Sequence, residues 1–188
     1  IREAEVETSI SVRFILDASG SMNHEDNGYT KLAYAKYLAA SLAWLAALQG
    51  DAVGLYVLQE QQLFSMDAKR DYQHMARLYH RLESVTAAGI TADPVHYNSV
   101  FSGTGKKELV VFMTDLYEYS DELLAVLDKL AVMKHEIIVF HLIGGNELDF
   151  DYGGYAALED METGERIKIN TAMDSEAYRQ KMNHWLEI

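Results

Sequence analysis

The stretch "FILDASGSM" (residues 14–22) decides how the rest of the chain is read. It opens on Phe14, Ile15 and Leu16, then delivers Asp17, Ser19 and Ser21 on alternate residues, with Gly20 between the two hydroxyls. Extended backwards it becomes "ISVRFIL" (10–16), which is β-branched and apolar over strand length. A strand that runs into such a turn can point three side-chain oxygens into one small volume, and glycine lets the backbone bend tightly there. Carboxylate and hydroxyl oxygens are hard donors, suited to a small hard cation such as magnesium. The plainer use of Asp and Ser after a strand is to cap the helix that follows.

Working outward, "KLAYAKYLAASLAWLAAL" (31–48) reads as a helix stopped by Gly50, and "AVGLYVL" (52–58) as a second buried strand. "QLFSM" (62–66) is expected to pair back on it as a short edge strand. "DYQHMARLYHRLESV" (71–85) spaces Met75, Leu78, Leu82 and Val85 at helical intervals. A helical turn is weakly signalled around residues 95–101. "ELVVFMT" (108–114) is a third buried strand. "SDELLAVLDKLAVMKH" (120–135) is a helix with Ser120 or Asp121 as its N-cap, and "EIIVFHLI" (136–143) is a fourth strand ending at Gly144-Gly145. "AALEDMETGERIKIN" (156–170) reads as a hairpin turning near "ETGE", and "DSEAYRQKMNHWLEI" (174–188) as a closing amphipathic helix.

Alternation of strands and helices predicts an α/β, doubly wound, mainly parallel sheet with helices on both faces, followed by the hairpin and helix. In such sheets ligands sit outside the carboxyl ends of the strands, where the strand order reverses. That edge receives Asp17 from the first strand and Asp115, in "FMTDLYE", from the third. The two acids converge if those strands are neighbours, which pattern alone does not decide.

These residues resemble the metal-ion-dependent adhesion site of von Willebrand factor A domains, whose pattern is Asp-x-Ser-x-Ser at the exit of the first strand. Here that is Asp17, Ser19 and Ser21. The resemblance implies a Thr from a later loop, offered by Thr91 in "AAGITADP", and an Asp at the end of a later core strand, offered by Asp115. Ser19, Ser21 and Thr91 would then hold a magnesium or manganese ion directly or nearly so, with Asp17 and Asp115 acting largely through bound water. Asp93 competes with Thr91 for the loop position, because "TADPVHYNSVFSG" departs from the Ala- and Leu-rich helix the family usually places there. The likeness covers roughly residues 10–145. "KLAYAKYLAASLAWLAALQGDAVGLYVL" and "LEDMETGERIKIN" further resemble the bacterial von Willebrand A-like proteins of the domain-of-unknown-function fifty-eight family. That family implies an additional N-terminal region and a link with MoxR-type AAA+ ATPases.

Composition narrows the function classes. The chain has 188 residues, within the range of one domain, and 49% hydrophobic content, enough for one sizeable core. Asp and Glu number 29 against 16 Lys and Arg, a formal net charge of -13, so a polyanion such as nucleic acid would be repelled. No cysteine is present, which excludes disulfides and thiolate metal sites. The longest apolar run, residues 32–48, contains Lys36 and Ser41 and is shorter than the roughly 20 residues a membrane-spanning helix needs. The expected compartment is cytoplasmic, with tethering of a full-length protein left open. The start at Ile1 suggests a fragment of a longer chain, read here as a single domain over 1–188.

Competing motifs are absent or incomplete. A haloacid-dehalogenase nucleophile would need an acid where Ser19 stands. No Gly-x-Ser-x-Gly elbow surrounds either serine, and no P-loop occurs. "DFDYGG" (149–154) lacks the third acid and closing Glu of an EF-hand loop. Residues 144–165 carry Glu147, Asp149, Asp151, Glu159, Asp160, Glu162 and Glu165 with no Lys or Arg: a solvated acidic loop, or a docking surface for a basic partner. His74 and His80 lack metal-pair spacing and read as structural or surface. Tyr34, Tyr37 and Trp44 are expected to be core, on a helix apolar nearly all round that a further region or partner would cover.

The expectation is therefore a non-enzymatic, metal-dependent protein-binding module. Its partner would offer a carboxylate to a Mg or Mn ion, and one candidate is a MoxR-type AAA+ ATPase. The alternatives are an interaction domain whose metal site is vestigial and a metal-dependent phosphatase.

Overall fold

The computed structural model describes residues 9–60, 63–90, 97, 107–117, 121–152, 157–169 and 171–186. Its centre is a five-stranded sheet made of β1 (Ser11–Asp17), β4 (Ala52–Leu58), β5 (Leu63–Lys69), β6 (Leu109–Thr114) and β7 (Glu136–His141), in the order β5-β4-β1-β6-β7. β1 pairs parallel with both β4 and β6, and β6 pairs parallel with β7; only β5 runs antiparallel, on β4. The first and third strands of the sequence reading are thus neighbours, and the strand order reverses beside β1.

Alternation along the strands builds two cores. Val12, Phe14 and Leu16 of β1, with Val53, Leu55 and Val57 of β4, face α1 (Lys31–Leu48) and α2 (Tyr72–Ser84). Ile15, Tyr56, Val110 and Phe112 face the other way, onto Leu123, Val126 and Leu130 of α3 (Glu122–Val132). Full burial of a side chain such as Leu130 contributes about 2 kcal/mol, so each layer is held by its own apolar set. Arg13 points into the second layer. It pairs with Glu108, both buried, and its guanidinium stacks 4.8 Å from the Tyr56 ring centroid.

The helix boundaries follow their caps. Thr30 accepts the Ala33 amide at 3.0 Å to start α1, and Gly50, with φ of +80°, lies just past its end. Asp71 accepts the His74 amide at 2.7 Å to start α2. Asp121 occupies the N-cap position of α3 without making a side-chain cap bond.

One expectation about α1 is overturned. Tyr34, Tyr37 and Trp44 are exposed, at 59%, 72% and 53%. Leu32, Ala35, Ala39, Ala43 and Ala46 face the sheet instead, at helical spacing. A stripe of alanines lets the helix axis approach the sheet closely, and the aromatic rings do not fit that gap.

Two short strands, β2 (Glu25–Asp26) and β3 (Tyr29–Thr30), form a small antiparallel pair that the sequence reading did not anticipate. After β7 come a short helix, α4 (Gly145–Asp149), the expected hairpin of β8 (Ala157–Glu159) and β9 (Arg166–Lys168), and α5 (Thr171–Leu186). No described helix is long and apolar enough to cross a membrane. Thr91, Asp93 and most of the 95–101 segment lie outside the described residues.

Candidate metal centre at the carboxyl edge

Asp17 ends β1 and is buried, at 1% exposure. Its Oδ1 accepts the Ser19 amide at 2.9 Å, and its Oδ2 accepts the Thr114 hydroxyl at 2.7 Å. Ser19 and Ser21, both buried, lie with their Oγ atoms 3.0 Å apart at the start of a 3-10 turn over Gly20–Asn23. The Ser21 hydroxyl donates to Asp115 Oδ1 at 3.2 Å. The four residues that the strand exits were expected to supply, Asp17, Ser19, Ser21 and Asp115, therefore meet in one place.

The loop is pinned on both sides. The Ala18 amide donates to Leu58, the Ala88 amide donates to Ala18, and the Gly20 amide reaches Gly89 at 2.7 Å. Asn23 Nδ2 donates to the Ala87 carbonyl at 2.8 Å. Asp115 is fixed by the Tyr117 amide on Oδ1 at 3.2 Å and by Lys31 Nζ on Oδ2 at 2.7 Å. His141 donates from Nε2 to the Asp115 carbonyl at 3.1 Å, and burial holds its imidazole below the ordinary basicity.

The electrostatics are those of a site short of positive charge. Burial, then the neighbouring Asp115, push Asp17 up to about 6, against the opposing hydrogen bonds from Thr114 and Ser19. Lys31 is shared between Asp115 and Glu147 of α4, at 2.7 and 3.0 Å. A fourth carboxyl group, Glu162, comes from the turn of the β8–β9 hairpin. Both its oxygens are out of solvent, and among the described residues the Ser19 and Ser21 hydroxyls face them. Burial pushes it up to about 7, with Asp17 and Asp115 adding and the Ser21 and Ser19 hydroxyls opposing. One lysine does not neutralise Asp17, Asp115, Glu147 and Glu162 together.

The donor set suits a hard divalent ion: two carboxylates, two hydroxyls, no soft ligand, and a third carboxylate facing those hydroxyls. Among the described residues no group of three or more His, Asp or Glu side chains draws together as a metal cluster, so hydroxyls form part of any shell here. Beside the site opens a cleft of about 630 Å³ whose lining includes Lys31, Asp115, Glu147, Met161, Met182 and Trp185.

Sequence reasoning missed Lys31, Thr114, Glu147 and Glu162 as parts of this site. Two of the seven acids grouped as a loop or docking surface, Glu147 and Glu162, turn inward; Asp149, Asp151, Glu159 and Glu165 remain exposed. His74 is structural, as expected: it is buried, and its Nε2 lies 2.8 Å from the Val53 carbonyl oxygen.

The family model described as "Protein of unknown function DUF58" matches residues 1–185. The chain belongs to the DUF58 family. Its fold, a mainly parallel five-stranded sheet with helices on both faces, is the α/β architecture expected from the strand–helix alternation. Among solved structures, this DUF58 chain is similar to an aerotolerance-related membrane protein from Bacteroides fragilis NCTC 9343 (19% identity, TM-score 0.58, covering 93% of this chain and 89% of that one). It is also similar to the conserved hypothetical protein BatB from Bacteroides thetaiotaomicron (19% identity, TM-score 0.59, covering 93% and 85%). At these identities the likeness speaks for the fold alone. No curated protein matches the DUF58 chain.

Proposed function

We propose that the chain is a non-catalytic protein-binding module whose site at the carboxyl edge of the sheet works with a bound magnesium or manganese ion. The observation that carries this reading is the convergence of Asp17, Ser19, Ser21 and Asp115, with Ser21 to Asp115 at 3.2 Å, beside the buried carboxylate oxygens of Glu162. Bound there, the ion would supply an electrophilic position able to accept a carboxylate. Ser19 and Ser21 would hold it, Asp17 and Asp115 would act around it, and Thr91 or Asp93 belongs to the same proposal. Thr114 and the Ser19 amide orient Asp17; Lys31 and the Tyr117 amide orient Asp115. Among the described residues the serine hydroxyls meet each other, Asp115 and Glu162, and no His or Lys base is hydrogen-bonded to either.

The partner in this reading is a protein carrying an exposed Glu or Asp, with a MoxR-type AAA+ ATPase as the candidate that the family resemblance offers. The test is calorimetric titration of chelator-stripped protein with magnesium and then manganese, beside Asp17→Ala and Asp115→Ala. Saturable binding lost in both variants supports the site; absence of binding in the parent overturns it. Pull-down of the ATPase with and without chelator then tests the adaptor role.

One observation favours a second reading. Lys31 Nζ already sits 2.7 Å from Asp115, as a built-in cation. If it is the site's only counter-charge, partner binding is indifferent to chelator and the titration is silent.

A further inference from the structure

The tip of the β8–β9 hairpin lies on the motif loop, backbone against backbone. A Cβ placed on Gly20 would stand 2.5 Å from the Met161 carbonyl oxygen, closer than any side chain tolerates. Gly20 is needed here for that approach as well as for the bend of its own loop. The tip is a defined turn. Asp160 Oδ1 accepts the Glu162 and Thr163 amides at 2.8 and 3.0 Å, and Gly164 takes a φ of +73°. The turn is also tied to the site. Tyr117, whose amide holds Asp115 Oδ1, donates its hydroxyl to Asp160 Oδ2 at 2.8 Å. The hairpin is thus indexed to the loop at Gly20 and to the β6 exit at Tyr117, and Glu162 is the residue it delivers between them.

A carboxylate brought out of water with only the Ser19 and Ser21 hydroxyls facing it, next to two other carboxylates, is costly unless a cation joins them. The Ser19 and Ser21 hydroxyls that face it are the ones the metal reading assigns to the ion. We infer that Glu162 is a built-in ligand of this site, placing within the same chain the carboxylate that a partner would otherwise bring, so that a partner's acid gains the ion only by displacing the hairpin. This inference rests on the metal-dependent reading proposed above. It makes the hairpin a selectivity element: a partner must offer a stronger carboxylate contact than Glu162, or hold the hairpin away.

The experiment uses the full chain and Glu162→Gln, which keeps the side chain's shape. Manganese affinity is measured by titration, hydration of the bound manganese by water-proton relaxation, and hairpin protection by hydrogen exchange of the 157–168 amides with and without magnesium. The expected result is an affinity loss of at least about tenfold in Glu162→Gln, as for removal of a supporting carboxylate at a metal site. An additional water should appear on the ion, and the hairpin should gain protection on adding magnesium in the parent only. Equal affinity and equal hydration in parent and variant, with Asp17→Ala silent, would overturn the role of Glu162 and leave the metal site standing. No saturable binding in the parent would overturn both.

Discussion

Thr114 gives its hydroxyl hydrogen to Asp17 across the β1–β6 pair, at 2.7 Å, and neither residue is exposed by more than 1%. The same oxygen accepts the Leu116 amide at 3.0 Å, so one hydroxyl orients the site's central acid and shapes the chain's exit from β6. Thr114→Val keeps the shape and removes both bonds. The expected loss is about 2 kcal/mol, the scale of a buried hydrogen bond to a charged group. Denaturant unfolding of parent and variant measures it. A change within error would mean that water takes the hydroxyl's place.

Asp17 carries its charge against burial and against Asp115. Asp17→Asn relieves that cost, and the amide oxygen can still accept from Ser19. In chelator the variant should melt no lower than the parent, while the rise in Tm that magnesium gives the parent should vanish. Thermal melts in both conditions decide it. A lower Tm in chelator would show that the charged form is required by Thr114 and the Ser19 amide rather than by an ion.

Lys31 holds Asp115 and Glu147 with its ammonium largely out of solvent. Lys31→Met removes the only described cation contacting Asp115 and leaves an acid-rich site behind. Metal-free stability should fall by about 3 kcal/mol, as when one partner of a buried pair is removed. Magnesium should restore much of the loss, and its apparent affinity should rise. A variant equally destabilised in magnesium and in chelator would favour the lysine as the site's own counter-charge.

Arg13 and Glu108 form a buried pair near the opposite end of the sheet, where the Glu108 amide also donates to His135 Nδ1 at 3.1 Å. Glu108→Ala takes the buried guanidinium's carboxylate away, at an expected cost of about 3 kcal/mol. Manganese affinity should stay unchanged, because the pair lies far along the strands from Asp17. A parallel loss of affinity would show that the variant disturbs the whole sheet.

The strands were legible because "ISVRFIL", "AVGLYVL" and "ELVVFMT" are apolar over strand length and bounded by turn chemistry. Asp17 and Asp115 were legible because both stand at strand exits. The outward face of α1 was not: periodicity locates an apolar helix but cannot choose between its alanine stripe and its aromatic one. That choice is made by how closely the helix must approach the sheet. Glu162 was hidden for a different reason. In sequence it is one acid among seven, and what distinguishes it is the backbone contact of the preceding residue, Met161, with Gly20, most of the chain away. Lys31 and Glu147 likewise gain meaning only from each other, through Asp115. The pair β2–β3, two residues per strand, is too short to leave a periodic signal.

The contact between Gly20 and Met161 also orders events in time. A chain emerging amino end first places the motif loop early, but the hairpin that seats on it cannot arrive until every strand of the sheet has been made. Closing so long a loop costs more chain entropy than pairing neighbouring strands does. The site is therefore finished last. During refolding, protection of the 157–168 amides should lag behind that of β1, β4 and β6, and in that interval the Ser19 and Ser21 hydroxyls face the solvent with Glu162 still absent.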